Sequence, residues 1–155
     1  NSGNRILIFS QFTTVLKKIA VRFSKNNVDY FYLDGKTPSK QRVSLSKRFN
    51  EGEKDVFLVS LKAGGTGLNL TGANIVIHFD LWWNPSVETQ ATDRAHRIGQ
   101  DKTVEVIKFI TKGTIEEKML SLQMEKNKLF NSLITTDTVA VKSLSESDIE
   151  YMLGV

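Results

Sequence analysis

The sequence predicts an α/β fold: a mainly parallel sheet, helices on both faces, and a C-terminal helical extension. Three observations predict it. Short apolar runs recur along the chain, and each reads as a strand buried on both faces. Stretches with helical spacing or helix-start signals alternate with those runs, as βαβ units require. Both prolines, Pro38 and Pro85, fall where helices are expected to start. The chain has 155 residues, of which 40% are hydrophobic and 25% charged. That is ordinary globular composition for one domain, so disorder, collagen and coiled coil are excluded.

The first strand is Arg5 to Ser10, Arg-Ile-Leu-Ile-Phe-Ser. Phe12, Val15, Leu16, Ile19, Ala20 and Phe23 follow at i, i+3, i+4, i+7, i+8 and i+11, one face of a helix. Val28 to Leu33 is the second strand. Thr37 reads as an N-cap with Pro38 at the first helical position, opening a helix to about Phe49. Strands three and four are Asp55 to Ser60 and Asn74 to Phe79. A third helix starts after Asn84. Thr103 to Ile110 is strand five. Thr114-Ile115-Glu116-Glu117 has the form of a capping box and opens a long helix to about Leu133, with Ile115, Met119, Leu122, Leu129 and Leu133 as its apolar stripe. Ser145 to Leu153 is expected to form a short terminal helix. The expected division is a domain over 1–133 and a helical extension over 134–155.

Several chemistries are unsupported. The chain has no cysteine, so it has no disulfide framework and no thiolate metal site. Two histidines, His78 and His96, are too few for a convincing zinc site; His78, inside a strand, reads as a core residue. No uncharged run approaches the ~20 residues of a membrane span, and no secretory signal is read at the start. The net charge of +4 fits an anionic partner, but only as weak support for nucleic-acid binding.

In parallel sheets, ligands bind beyond the carboxyl ends of the strands. That rule points to Ser10-Gln11, Asp34-Gly35, Ser60 to Gly67, and Asp80 to Asn84. Ser60-Leu61-Lys62-Ala63-Gly64-Gly65-Thr66-Gly67 has three glycines in four positions. Such a loop lets the backbone approach phosphate oxygens, and Lys62 adds a point charge. It also reads as a plain flexible turn. On a helix, Gln90, Arg94 and Arg97 share one stripe at i, i+4 and i+7, beside apolar Val87, Ala91, Ala95 and Ile98. Two guanidiniums side by side suit a polyphosphate, since each planar fork grips oxygens in pairs. The alternative is a solvated basic face. Trp82 and Trp83, in one strand-to-helix connection, read as a DNA or domain contact, or as a core or lid element.

Gly35-Lys36-Thr37 imitates the end of a Walker A loop. The required earlier glycine would fall at Tyr30, inside a strand, and Pro38 after Thr37 donates no N–H. A self-sufficient P-loop kinase is therefore excluded. The chain also lacks an acidic run to hold Mg²⁺. Arginines without the rest of the machinery suggest half of a two-part nucleotide site.

In order, Ile6 to Phe12, Leu33 to Thr37, Ser60 to Leu70, Asp80 to Pro85, Gln90 to Gln100 and Gly113 to Lys118 resemble the C-terminal helicase lobe of the SWI/SNF-type family of superfamily-two DNA translocases. The resemblance spans roughly residues 5 to 133 and is weaker beyond. It implies a RecA-like three-layer sandwich that completes an ATP site built mainly by a preceding lobe. It implies that Arg94 and Arg97 are arginine fingers, and that Gly65, Gly67 and Gln90 line the nucleotide cleft or couple it to DNA. It implies that Ser10, Gln11, Gly35, Lys36, Lys62, Ala63 and Gly64 lie near the DNA backbone, with Asn69, Trp82 and Trp83 coupling the two or touching DNA. ATP with Mg²⁺ is the implied cofactor, the metal ligands being on the N-terminal lobe. The implied partners are double-stranded DNA and that lobe, in an intracellular, nucleic-acid-associated setting. The activity implied is ATP-driven walking on duplex DNA without strand separation; alone, this chain is expected to be inactive. The competing readings are a non-enzymatic DNA- or protein-binding lobe, whose damaged arginines or glycines are not found, and the C-terminal lobe of another superfamily-two helicase, whose arginine motif differs.

Overall fold

A computed structural model describes residues 3–64, 67–96, 100 and 103–133, with the backbone alone for 126–133. Five strands form one parallel sheet: β1 (Ile6–Ser10), β2 (Phe31–Leu33), β3 (Val56–Ser60), β4 (Ile75–His78) and β5 (Glu105–Lys108), in the order β2-β3-β1-β4-β5. The helices are α1 (Thr13–Lys25), α2 (Ser39–Asn50), α3 (Leu61–Gly64), α4 (Pro85–Thr92) and α5 (Ile115–Leu133). The RecA-like α/β class expected from the sequence is the class observed.

The apolar runs owe their continuity to the two covered faces. Leu7 and Phe9 of β1, with Phe57 and Val59 of β3, face a core built with Leu45 and Phe49 of α2, Ala63 of α3 and Ala91 of α4. Their neighbours Ile8, Val56 and Leu58 face the opposite way, against Leu16 and Ile19 of α1. Side chains alternate along a strand, so a strand sandwiched between helices must be apolar at every position. All five residues of β3 are buried. Edge strand β5 is mostly exposed, and β2 is only three residues long, shorter than the Val28 start expected.

Several helix ends differ from the sequence reading. Pro38, not Thr37, occupies the N-cap of α2, and its carbonyl accepts the Arg42 N–H at 3.0 Å. Thr37 is used locally instead: its Oγ1 accepts the Asp34 N–H at 3.1 Å. Asn84 caps α4 as expected, accepting the Ser86 N–H at 3.0 Å. At α5 the box is shifted by one residue. Thr114 Oγ1 accepts from Glu116 N rather than Glu117 N, and Glu117 accepts from Gly113 N rather than Thr114 N. Within the α5 stripe, Ile115 is exposed, Met119 and Leu122 are half-buried, and Gln123 is the buried residue. The side chains of Leu129 and Leu133, and the Ser145 to Leu153 helix, lie outside the described residues.

The connection from α3 to β4 crosses the α2/α4 face and is pinned at its far end. Arg5 Nη1 donates to the Phe49 and Asn50 carbonyls at 3.0 and 2.8 Å, satisfying the C-terminus of α2. Asn50 then accepts the Gly72 N–H at 2.9 Å and donates to the Asn69 carbonyl at 3.0 Å. A Cβ on Gly72 would lie 2.8 Å from the Asn50 Cα, so this close approach requires glycine.

Candidate functional site

The segment after β3 begins as a short helical turn, not as a bare loop. In Leu61–Gly64, Leu61 and Ala63 are buried in the core and Lys62 is exposed. Amphipathic spacing explains this: the two apolar side chains anchor the turn, and the lysine is turned outward. Gly67 is exposed and adopts φ +63°, a conformation that favours glycine. Gly64 ends the helical turn; Gly65 lies outside the described residues. Leu68 and Leu70 are buried, and Asn69 between them is exposed.

Helix α4 ends at Thr92, so Arg94 sits in a following turn and does not continue the Gln90 stripe. The expected common helical face is corrected here. Arg94 N and Ala95 N donate to the Ala91 and Thr92 carbonyls, three residues back, which tightens the chain out of α geometry. The freed Arg94 carbonyl accepts the Leu70 N–H at 2.9 Å. Gln100 adds a second clasp, donating to the Thr71 and Ala73 carbonyls at 2.9 and 2.6 Å and to the Ala95 carbonyl at 3.3 Å. The glycine segment and the arginine segment therefore join on one face of the sheet. Ala73 precedes β4, so this junction lies toward the amino ends of the strands, away from the carboxyl rim where α3 starts. Arg94 is half-buried and Gln90 exposed. Arg97 lies outside the described residues.

The carboxyl ends of β1 and β4 are tied together. Asp80 accepts from the Ser10 hydroxyl through one oxygen and from the Gln11 N–H, at 2.9 Å, through the other. Gln11 Nε2 donates to the Leu81 carbonyl at 3.0 Å. Burial pushes the Asp80 carboxyl above its ordinary range, and the bonds from Ser10 and Gln11 pull the other way. Ser10 is 1% exposed and Ala63 is 2% exposed. Both side chains are turned inward: Ser10 bonds Asp80 beside Gln11, and Ala63 packs in the core beside Lys62.

Gly35 and Lys36 are exposed in a tight turn. The Lys36 N–H donates to Asp34 Oδ1 at 2.9 Å, and the Thr37 N–H donates to the Asp34 carbonyl at 3.1 Å. Both N–H groups are consumed by the turn itself, so it is not a Walker A loop, and the Lys36 side chain stays exposed. His78 is a core residue, as its strand position predicts. It is 1% exposed, stacks on Phe9 at 5.7 Å and meets Thr92 Oγ1 at 3.0 Å. Burial lowers its pKa; nearby Glu88 opposes that shift and Lys108 adds to it.

Trp82 and Trp83 are half-buried, with ring centroids 6.3 Å apart, and Trp82 packs against the main core. Beneath them lies an acid that sequence reasoning missed. Glu88 is 2% exposed and accepts the Trp82 N–H at 2.6 Å. A cleft of about 660 Å³ beside Lys17, Val21, Tyr30 and Tyr32 is on the α1 side, on the other face of the sheet from Arg94. Among the described residues, no group of three His, Asp or Glu side chains could hold a metal ion, and no helix is long and apolar enough to cross a membrane.

Residues 1–99 match the helicase conserved C-terminal domain. The chain belongs to that family. It is 45% identical over 146 residues to an uncharacterized ATP-dependent helicase of Mycoplasma pneumoniae, covering 94% of this chain and 14% of that protein. It is 42% identical to the DNA repair protein RAD5A of Arabidopsis thaliana, covering 94% of this chain and 14% of that protein. It is 48% identical over 137 residues to a SWI/SNF-related, matrix-associated, actin-dependent regulator of chromatin (subfamily A, containing DEAD/H box 1) of Xenopus tropicalis, covering 88% of this chain and 14% of that protein. The crystal structure of the C-terminal part of the Fun30 ATPase domain matches with a TM-score of 0.78 and 36% identity, over 96% of this chain and 46% of that one. These relatives make the chain a C-terminal helicase lobe of the SWI/SNF-related ATP-dependent helicases. It spans about a seventh of the length of the whole relatives, 14% in each case.

Proposed function

We propose that this lobe is the second half of a motor that hydrolyses ATP to move along double-stranded DNA. The lobe comprises residues 1–133, with 134–155 as an extension. The observation that supports this reading is the Leu70–Arg94 bond, which fixes the glycine segment against the arginine segment. A rigid junction of that kind lets a change at bound nucleotide shift a DNA-facing segment, and the reverse.

In this reading Arg94 and Arg97 stabilise charge on the transferring phosphoryl group of an ATP held by the N-terminal lobe. Gly65, Gly67 and Gln90 line the shared cleft. Mg²⁺ is held by that other lobe. Gln11, Gly35, Lys36, Lys62 and Gly64 follow the phosphate backbone, supported from beneath by Ser10 and Ala63. Contacts of this kind fix register and carry little sequence preference. Asn69, Trp82 and Trp83 transmit between the two sites. The setting is intracellular and nucleic-acid-associated, as expected of a protein related to chromatin and DNA-repair factors.

The test compares this chain with the full-length protein. The full-length protein hydrolyses ATP in a DNA-stimulated manner and displaces a third strand from a triplex without unwinding the duplex. This chain alone does neither. DNA-stimulated hydrolysis by the isolated chain would refute the half-site reading.

A further inference from the structure

We infer that Glu88 is a positioning residue through which α5 sets the pose of the Trp82–Trp83 loop. The inference rests on the functional reading above only where it assigns that loop to coupling. Glu88 is an acid, 2% exposed, in an otherwise mostly apolar layer. Its two oxygens gather three elements. Oε1 accepts the Trp82 N–H at 2.6 Å and Gln123 Nε2 at 3.2 Å, and Oε2 accepts the Lys108 ammonium of β5. Gln123, 3% exposed on α5, also donates to the Trp82 carbonyl.

Both backbone polar groups of Trp82 are thus satisfied by side chains, one from α4 and one from α5. A loop peptide held at both ends has no slack. If α5 shifts, the Trp82 carbonyl loses its donor and Glu88 loses one of three. A buried carboxylate tolerates such a loss poorly, so the loop must move with the helix. Lys108 is the accessible member, with its side chain 34% exposed. It neutralises the acid and keeps the network closed. This makes α5 a handle on the loop, acting through contacts 35 and 41 residues distant in sequence.

The test is amide hydrogen exchange in the full-length protein, read on a peptide spanning residues 79–84. Gln123→Ala and Lys108→Ala should each speed exchange there by roughly tenfold or more, as expected for losing a bond to a charged group. Peptides from β1 and β3 should keep wild-type protection. Lys108→Arg should restore the slow exchange. In the same variants, translocation per ATP should fall while DNA-stimulated hydrolysis persists. Unchanged exchange at 79–84 in Lys108→Ala, with β1 and β3 at wild-type protection, would overturn the inference even if Gln123→Ala unfolds α5. Faster exchange with unaltered translocation per ATP would overturn the coupling role. A wild-type protein without DNA-stimulated hydrolysis would instead overturn the functional reading, and the exchange result would still judge the latch.

Discussion

The Leu70 N–H donates to the Arg94 carbonyl at 2.9 Å, joining two segments that sequence alone lists separately. The bond is made by backbone, so it survives any side-chain change at Arg94. An arginine variant can therefore lose its chemistry without losing the junction, which makes Arg94 open to clean testing.

Gly72→Ala should strain that junction from the other end. The added Cβ meets the Asn50 backbone at 2.8 Å, which cannot yield as a flexible side chain would. The expected loss is about 1–3 kcal/mol, read by urea denaturation of this chain. A neutral substitution would show that the segment from Leu68 to Ala73 moves freely.

Lys62 is exposed on a turn whose neighbours Leu61 and Ala63 are buried. Lys62→Ala should leave stability unchanged and weaken DNA binding equally across sequences. In the full-length protein, the slope of log affinity against log salt should shrink by about one unit for a single lost phosphate contact. An unchanged slope would remove Lys62 from the interface.

The Asp80 carboxylate holds the Ser10 hydroxyl and the Gln11 N–H. Asp80→Ala leaves the Gln11 N–H without its acceptor at the junction of β1 and β4, and the buried Ser10 hydroxyl with the Phe12 carbonyl at 3.3 Å. The expected cost is about 1–3 kcal/mol in denaturant unfolding, the range for one orphaned donor. A loss below ~1 kcal/mol would mean that the tie contributes little.

Burial lowers the His78 pKa from its ordinary 6.5. The folded state therefore binds this proton less readily than the unfolded chain. His78 contributes stability that is present above pH 6.5 and is lost as pH falls from 6.5 toward the lowered folded value. The slope in that window is at most about 1.4 kcal/mol per pH unit for one proton. His78→Gln should flatten it when unfolding is compared across that range; an identical slope in the variant would assign the titration elsewhere.

Much of the fold was legible because burial on both faces writes continuous apolar runs, as in Leu7 to Phe9 and Val56 to Val59. Helix caps were legible only to within a residue. The cap moved from Thr37 to Pro38 because a threonine hydroxyl can serve its own turn as readily as a helix. The arginine segment kept helical spacing through Ala91 and Ala95, yet the helix stopped at Thr92. A tertiary bond from Leu70 captures the carbonyl, and no local pattern announces that. Glu88 was illegible for the same reason. An acid on a short helix reads as solvated, and its partners Lys108 and Gln123 lie 20 and 35 residues away. Of the residues expected at the site, Lys62, Gly67, Gln90 and Asn69 are exposed, and the side chains of Ser10 and Ala63 are buried.

The central claim is tested most directly by Arg94→Ala in the full-length protein, with ATP turnover measured at saturating double-stranded DNA. A transition-state role predicts a fall in kcat of roughly 10³-fold or more, equivalent to at least ~4 kcal/mol, with DNA affinity preserved. Arg94→Lys should fail to rescue it, because an ammonium cannot reproduce the paired guanidinium grip. Turnover of Arg94→Ala within about threefold of wild type, less than ~1 kcal/mol of barrier, would contradict the account.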